Sequence, residues 1–186
     1  DLSSLRDAVG IILQKNVLFS GTVRDNLKWG NPDASDEEIW DACRAACADE
    51  FLSRMPQGLD TMLEQGASNL SGGQKQRLCI ARALVGKAKI LIFDDSTSAV
   101  DTATEKKIRE ALARRKDVTK IIIAQRITSV MNTDQIVILE NGKLHCTGTH
   151  RELLAHDSIY QEIYRSQLNG EQEKEEGGEQ NGVQNI

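Results

Sequence analysis

Residues 70–77 read Leu-Ser-Gly-Gly-Gln-Lys-Gln-Arg, and a second notable segment follows at 90–95, Ile-Leu-Ile-Phe-Asp-Asp. In the first, a Ser-Gly-Gly turn opens a helix, so unpaired backbone N–H groups and the positive end of a helix dipole face whatever lies ahead of Ser71. That is a site for an anion, above all a phosphate. In the second, an apolar strand ends in two carboxylates, Asp94 and Asp95. A carboxylate pair in that place can hold Mg²⁺ beside the phosphates of a nucleotide.

The elements that must position these groups follow from periodicity and capping. Val9–Leu13 reads as a strand ending at Gln14, and Thr22 caps a short helix after it. Ser35-Asp36-Glu37-Glu38 is a capping box with acids in the first turn, opening a helix to about Ala48. A further helix is expected from Ser71 to Val85, stopped by Gly86. Beyond Lys89, the runs Ile90–Phe93, Lys120–Ala124 and Gln135–Leu139 read as strands buried on both faces. Thr102–Arg115 between the first two has helical spacing through Ile108, Ala111 and Leu112, so a parallel sheet with crossovers is expected. Asn141-Gly142 signals a tight hairpin into Lys143–Thr147. Thr149 and Glu152 cap a short helix, and Ile159, Ile163 and Leu168 stripe the last one.

Bulk properties restrict the function classes. At 186 residues with 39% hydrophobic content, one soluble domain is accommodated. The longest apolar runs fall far short of the roughly 20 residues of a spanning helix, and no apolar core of a signal peptide follows the polar start. The formal charge of −5 is uneven. The stretch 170–186 holds five Glu and one Lys, a balance of −4, which leaves −1 for the rest. That tail is expected to be disordered. The body has no basic field that would suit nucleic acid. Cys43, Cys47, Cys79 and Cys146 lack CxxC spacing; Cys43 and Cys47 read as small buried thiols in a reducing setting.

Taken together, Leu70–Arg77 and Ile90–Asp95 resemble the signature motif and Walker B strand of ATP-binding cassette (ABC) ATPases, in that family's order. The resemblance covers nearly all of the chain except the tail. It implies an α/β fold of the P-loop NTPase type: 1–14 as the end of an N-terminal core segment with the Q-loop, 15–86 as a helical subdomain ending in the signature helix, 87–168 as the α/β core with Walker B, D-loop and switch region, and 169–186 as the tail. Phe19-Ser20-Gly21-Thr22-Val23-Arg24-Asp25-Asn26 is similar to the segment after the Q-loop in exporter-type members. The P-loop itself, Gly-x-x-x-x-Gly-Lys-Ser/Thr, is not found, and the chain is read as a piece of a larger protein that would bind ATP poorly by itself.

By the same resemblance, ATP and Mg²⁺ are the cofactors. Gln14 reaches the metal and the attacking water, and Asp94 holds the metal through water. Ser71, Gly72, Gly73 and Gln74 contact the γ-phosphate of a nucleotide held by the other domain of a dimer. Asp101 belongs to the D-loop, and it can equally cap the helix beginning at Thr102. Two positions depart from the pattern. Asp95 stands where a glutamate usually polarises water, and the shorter side chain withdraws the carboxylate by about 1 Å. Gln125 stands where a histidine usually contacts the γ-phosphate; it donates a hydrogen bond but carries no proton charge. His145, His150 and His156 fall at expected surface positions. The pair of departures beside an intact signature, with Glu64-Gln65-Gly66 ahead of it, looks like one subunit of a heterodimeric exporter. Its partners would be a second ABC subunit and a transmembrane domain of the same polypeptide, at the cytoplasmic face of the membrane. The competing readings are a non-transport ABC ATPase and a non-catalytic interaction module.

Overall fold

A computed structural model describes residues 1–96 and 99–179, with side chains described to residue 168 except that of Ser3. The expectation for residues 180–186, and for Ser98 in the D-loop, lies outside the described residues. The described chain divides into two compact units, Asp1–Ile123 and Ala124–Ile186.

The first unit begins with helix α1 (Leu2–Ala8), which the sequence reading did not foresee, followed by β1 (Val9–Ile12), β2 (Gly21–Thr22), α2 (Val23–Lys28), α3 (Asp36–Ala45), α4 (Asp49–Leu52), β3 (Met62–Leu63), α5 (Gly72–Val85), β4 (Ile90–Asp94), α6 (Thr102–Ala113) and β5 (Thr119–Ile123). Helix starts fall where capping chemistry places them. Thr22, Ser35 and Ser71 each accept from the N–H three residues on, while Asp25, Glu38 and Gln74 reach back to the cap N–H. α3 stops at Ala45 rather than near Ala48, because Cys47 takes a left-handed conformation (φ 54°) that ends the helix. Cys43 and Cys47 are nonetheless buried, as is Cys79. Burial pushes the Cys43 thiol up to about 12.

β4 lies between β1 and β5, parallel to both. One sheet face carries Ile12, Leu91, Phe93 and Ile122 into a core shared with Leu78, Ile80 and Leu84 of α5 and Ile108 and Leu112 of α6. This single cluster also takes Ile39, Cys43 and Leu52 from α3 and α4, so the helical segment and the sheet are packed as one body. The expectation that Lys120–Ala124 is buried on both faces does not hold. Ile121 is 47% and Ile123 52% exposed. An uninterrupted apolar run satisfies burial on one face as well as on two, and α5 and α6 cover only one.

Where α2 ends, Gly30 lies against the last turn of α5. A Cβ added there would sit 2.1 Å from the Arg82 carbonyl oxygen and 3.2 Å from the Gly86 nitrogen. Neither neighbour can rotate away, since both are backbone. Gly30→Ala is therefore expected to force the two segments apart at a cost of about 1–3 kcal/mol. Thermal unfolding should show it as a Tm lower by about 3–10 °C; an unchanged Tm would mean that the loop yields freely.

The second unit contains α7 (Ile127–Val130), the antiparallel pair β6 (Ile136–Glu140) and β7 (Lys143–Gly148), α8 (His150–His156) and α9 (Ser158–Glu179). Asn141 and Gly142 take positive φ (50° and 74°) in the two-residue turn, as the Asn-Gly pair predicts. Gln135–Leu139 supplies one half of that hairpin, but its expected burial on both faces does not hold, with Val137 and Leu139 exposed. Ile127, Ile136, Leu153 and Tyr160 form the core of the unit. The last helix thus packs through Tyr160, whose hydroxyl meets His150 Nδ1 at 2.6 Å, whereas Ile163 and Leu168 are exposed. α9 also continues to Glu179, taking in the first part of the acidic stretch 170–186.

Candidate nucleotide site

β1 and β4 run parallel with Ile12 opposite Phe93. Extending that register by two residues past the Ile12–Phe93 pair brings Gln14 beside Asp95, although 81 positions separate them. The Gln14 Nε2 donates to Asp95 Oδ2 at 3.4 Å. Asp94 closes β4 opposite Ile123, and the Asp95 N–H donates to the Ile123 carbonyl at 2.9 Å. At Asp95 the backbone turns left-handed (φ 43°), a conformation that Asp tolerates better than most residues and that strands leading to functional turns often carry. Gln14, Asp94 and Asp95 thus gather at the carboxyl ends of adjacent parallel strands, where open α/β sheets place ligands.

The donor set fits a hard divalent cation. It offers carboxylate oxygens of Asp94 and Asp95 and, with Gln14 Nε2 engaged by Asp95, the Gln14 amide oxygen.

The signature segment is built as the start of α5. Ser71 Oγ accepts from the Gln74 N–H at 3.3 Å, and Gln74 Oε1 accepts from the Ser71 N–H at 2.9 Å. The first-turn N–H groups of Gly72 and Gly73 have no partner within the helix, which leaves donors for an anion. The loop ahead is fastened to the same helix: Gly66, with φ of 65°, offers its carbonyl to Lys75 Nζ at 2.9 Å.

Residues 99–101 run along this first turn. A Cβ on Gly73 would lie 3.0 Å from the Ala99 carbonyl oxygen. Gln76, wholly buried, accepts from the Ala99 N–H at 3.0 Å, and Val100 is buried beside it. Gln76 was not singled out from sequence. The available signal was a polar side chain on an otherwise apolar helical stripe, and a buried amide must find a backbone partner.

Asp101 does cap α6, accepting from the Thr104 N–H at 2.9 Å. That backbone donor holds its carboxyl below the usual carboxylate range. With the native value depressed, the folded state binds fewer protons. The stabilisation is then full above the unfolded-state pKa and is lost as pH falls through the native one. Asp101→Asn, which retains an acceptor but no charge, is expected to be less stable than wild type at neutral pH, with the gap closing in acid. Urea midpoints measured across that range check it; a gap independent of pH would contradict it.

Gln125 lies in the second unit, where its carbonyl accepts from Gln167 Nε2 at 2.8 Å and the same Gln167 accepts from the Ile127 N–H.

The chain is similar to known proteins along most of its length. A family model described as ABC transporter matches residues 1–98. The chain is 48% identical over 167 residues to an ABC transporter ATP-binding protein of Bacillus subtilis (strain 168), covering 90% of this chain and 29% of that protein. It is 46% identical over 165 residues to a multidrug export ATP-binding/permease protein of Staphylococcus aureus (strain NCTC 8325 / PS 47), covering 88% and 28%. Among solved structures, a bacterial Atm1-family ABC exporter with ATP bound superposes with a TM-score of 0.86 at 39% identity, over 90% of this chain and 30% of that one. The chain therefore spans under a third of the length of these relatives, and within that span it belongs to the ABC transporter family.

Proposed function

We propose that this chain is part of the ATP-binding and hydrolysing domain that powers an ABC exporter, and that its own nucleotide site is a slow one. The apposition of Gln14 and Asp95 carries the reading. Asp94 and Gln14 would hold Mg²⁺, which supplies charge neutralisation at the phosphates when bound. Asp95 would accept a hydrogen bond from the water placed against it, with Gln14 fixing the carboxylate's orientation. Gln125 would contribute a neutral donor in place of a cationic one. Ser71, Gly72, Gly73 and Gln74 would serve a nucleotide held by a second ABC subunit, and Asp101 would anchor the segment between the two sites.

The transmembrane partner is inferred from a separate observation. Phe19 and Trp29 stack at 4.9 Å with planes 21° apart, yet are 45% and 68% exposed. An exposed aromatic pair five and fifteen residues beyond Gln14 suits contact with a membrane domain of the same polypeptide. Among the described residues no helix is long and apolar enough to cross a membrane, so that domain would lie elsewhere in the protein, with this portion at the cytoplasmic face. The test is ATP turnover by the full-length protein paired with a partner whose catalytic Glu is changed to Gln. Turnover near background supports a slow own site; turnover at the wild-type rate overturns it.

A further inference from the structure

The geometry points to a zinc-class metal site in the second unit, built from His145, Cys146 and Asp157 and unrelated to the nucleotide chemistry. Their ligand atoms all lie within 4.8 Å of one another. His145 Nε2 is 2.7 Å and Cys146 Sγ 3.4 Å from Asp157 Oδ2.

Neighbouring residues of a strand normally point to opposite faces, so His145 and Cys146 should not converge. A register shift in the hairpin resolves this. Ile138 pairs with Cys146 and Leu139 with Leu144, leaving His145 as the extra residue of a β-bulge. Bulges re-aim a side chain, and this one brings the imidazole round to the thiol's side. Asp157 is fixed independently between α8 and α9. Its Oδ1 accepts from the Tyr160 N–H at 2.7 Å, which keeps Oδ2 directed at the other two groups.

The set has the features of a transition-metal site. Nitrogen, thiolate sulfur and carboxylate oxygen together suit Zn²⁺ rather than Mg²⁺ or Ca²⁺, and three protein ligands leave a fourth position for water. Around a tetrahedral ion with bonds of about 2.0–2.3 Å, ligand atoms lie roughly 3.3–3.8 Å apart. The Cys146–Asp157 separation already falls there, and the His145–Asp157 pair needs to open by roughly 0.6 Å, which the exposed imidazole can supply. The other ring nitrogen has a carboxylate of its own, Glu140 Oε2 at 3.9 Å from Nδ1. That separation is longer than a hydrogen bond, and Glu140 would have to close to about 3 Å to back a ligating histidine in the usual way. Without a metal the same atoms form a hydrogen-bonded triad; with one, the hairpin is cross-linked to the turn between α8 and α9.

The test is titration of the untagged 186-residue chain with Co²⁺ alone, followed by displacement with Zn²⁺. The expected result is one equivalent bound, with a thiolate-to-cobalt charge-transfer band that Zn²⁺ abolishes. Cys146→Ser should remove the band, and His145→Gln should weaken Co²⁺ binding at least tenfold. Asp157→Asn retains the Oδ1 acceptor for the cap and should also weaken binding tenfold with the circular dichroism of wild type, which separates lost ligation from misfolding. Absence of a thiolate band in the wild-type chain, or a band that survives Cys146→Ser, overturns the site.

Discussion

Asp95→Glu is expected to raise ATP turnover at this chain's own site by roughly 10²-fold, measured in the full-length transporter with the partner's site silenced. The added methylene advances the carboxylate by about 1 Å, and displacements of that size alter rates by about that factor. Register favours the gain, because Gln14 already stands against residue 95 and can orient the longer carboxylate as it does the shorter one. The backbone opposes it in a different observable. With φ of 43° at this position, Glu is less at ease than Asp, so strain of up to about 1–2 kcal/mol should lower the melting temperature. Rising turnover with falling stability is the signature of a reacting group moved into reach. Turnover that stays flat would show that the carboxylate's length is not what limits this site, and attention would pass to Gln125.

Gly73→Ala should act in the opposite direction and at the other nucleotide. Its new methyl would stand 3.0 Å from the Ala99 carbonyl oxygen, closer than ordinary contact, in the first turn of α5, whose backbone N–H groups would face the phosphates in the proposed function. α5 cannot move freely to relieve it, since Gln76 one turn later is hydrogen-bonded to the Ala99 N–H. The expected outcome is turnover at the partner's site reduced by about 10²-fold, with a stability loss of about 1–3 kcal/mol. Nucleotide binding measured separately at this chain's own site should be unchanged. Undiminished turnover at the partner's site would remove the signature helix from the catalytic account.

These two sites differ in how far they can be read from the chain alone. The start of α5 is local: Ser71 and Gln74 lie three residues apart and satisfy each other's backbone, so the cap is predicted from four residues and found intact. The same holds for the Asn141-Gly142 turn and for Asp101 as a cap. The Gln14–Asp95 pairing is not local. It depends on a parallel register between strands 81 residues apart, and without a resemblance to guide it Gln14 would pass for a turn glutamine. Gln76 illustrates another limit. Helical spacing shows that it lies on a buried stripe but cannot name Ala99 as the residue whose N–H its amide oxygen accepts.

Local chemistry is thus legible in the chain: which residues cap, which turn, which strands end in carboxylates, and the family these motifs resemble. Those follow from interactions within a few positions of one another. Packing between segments decided which carboxylate Gln14 meets, which face of β5 is left open, and that a bulge at His145 brings His145 and Cys146 to Asp157. Each depends on register and packing between distant segments, where a shift of one residue reverses the face of every side chain.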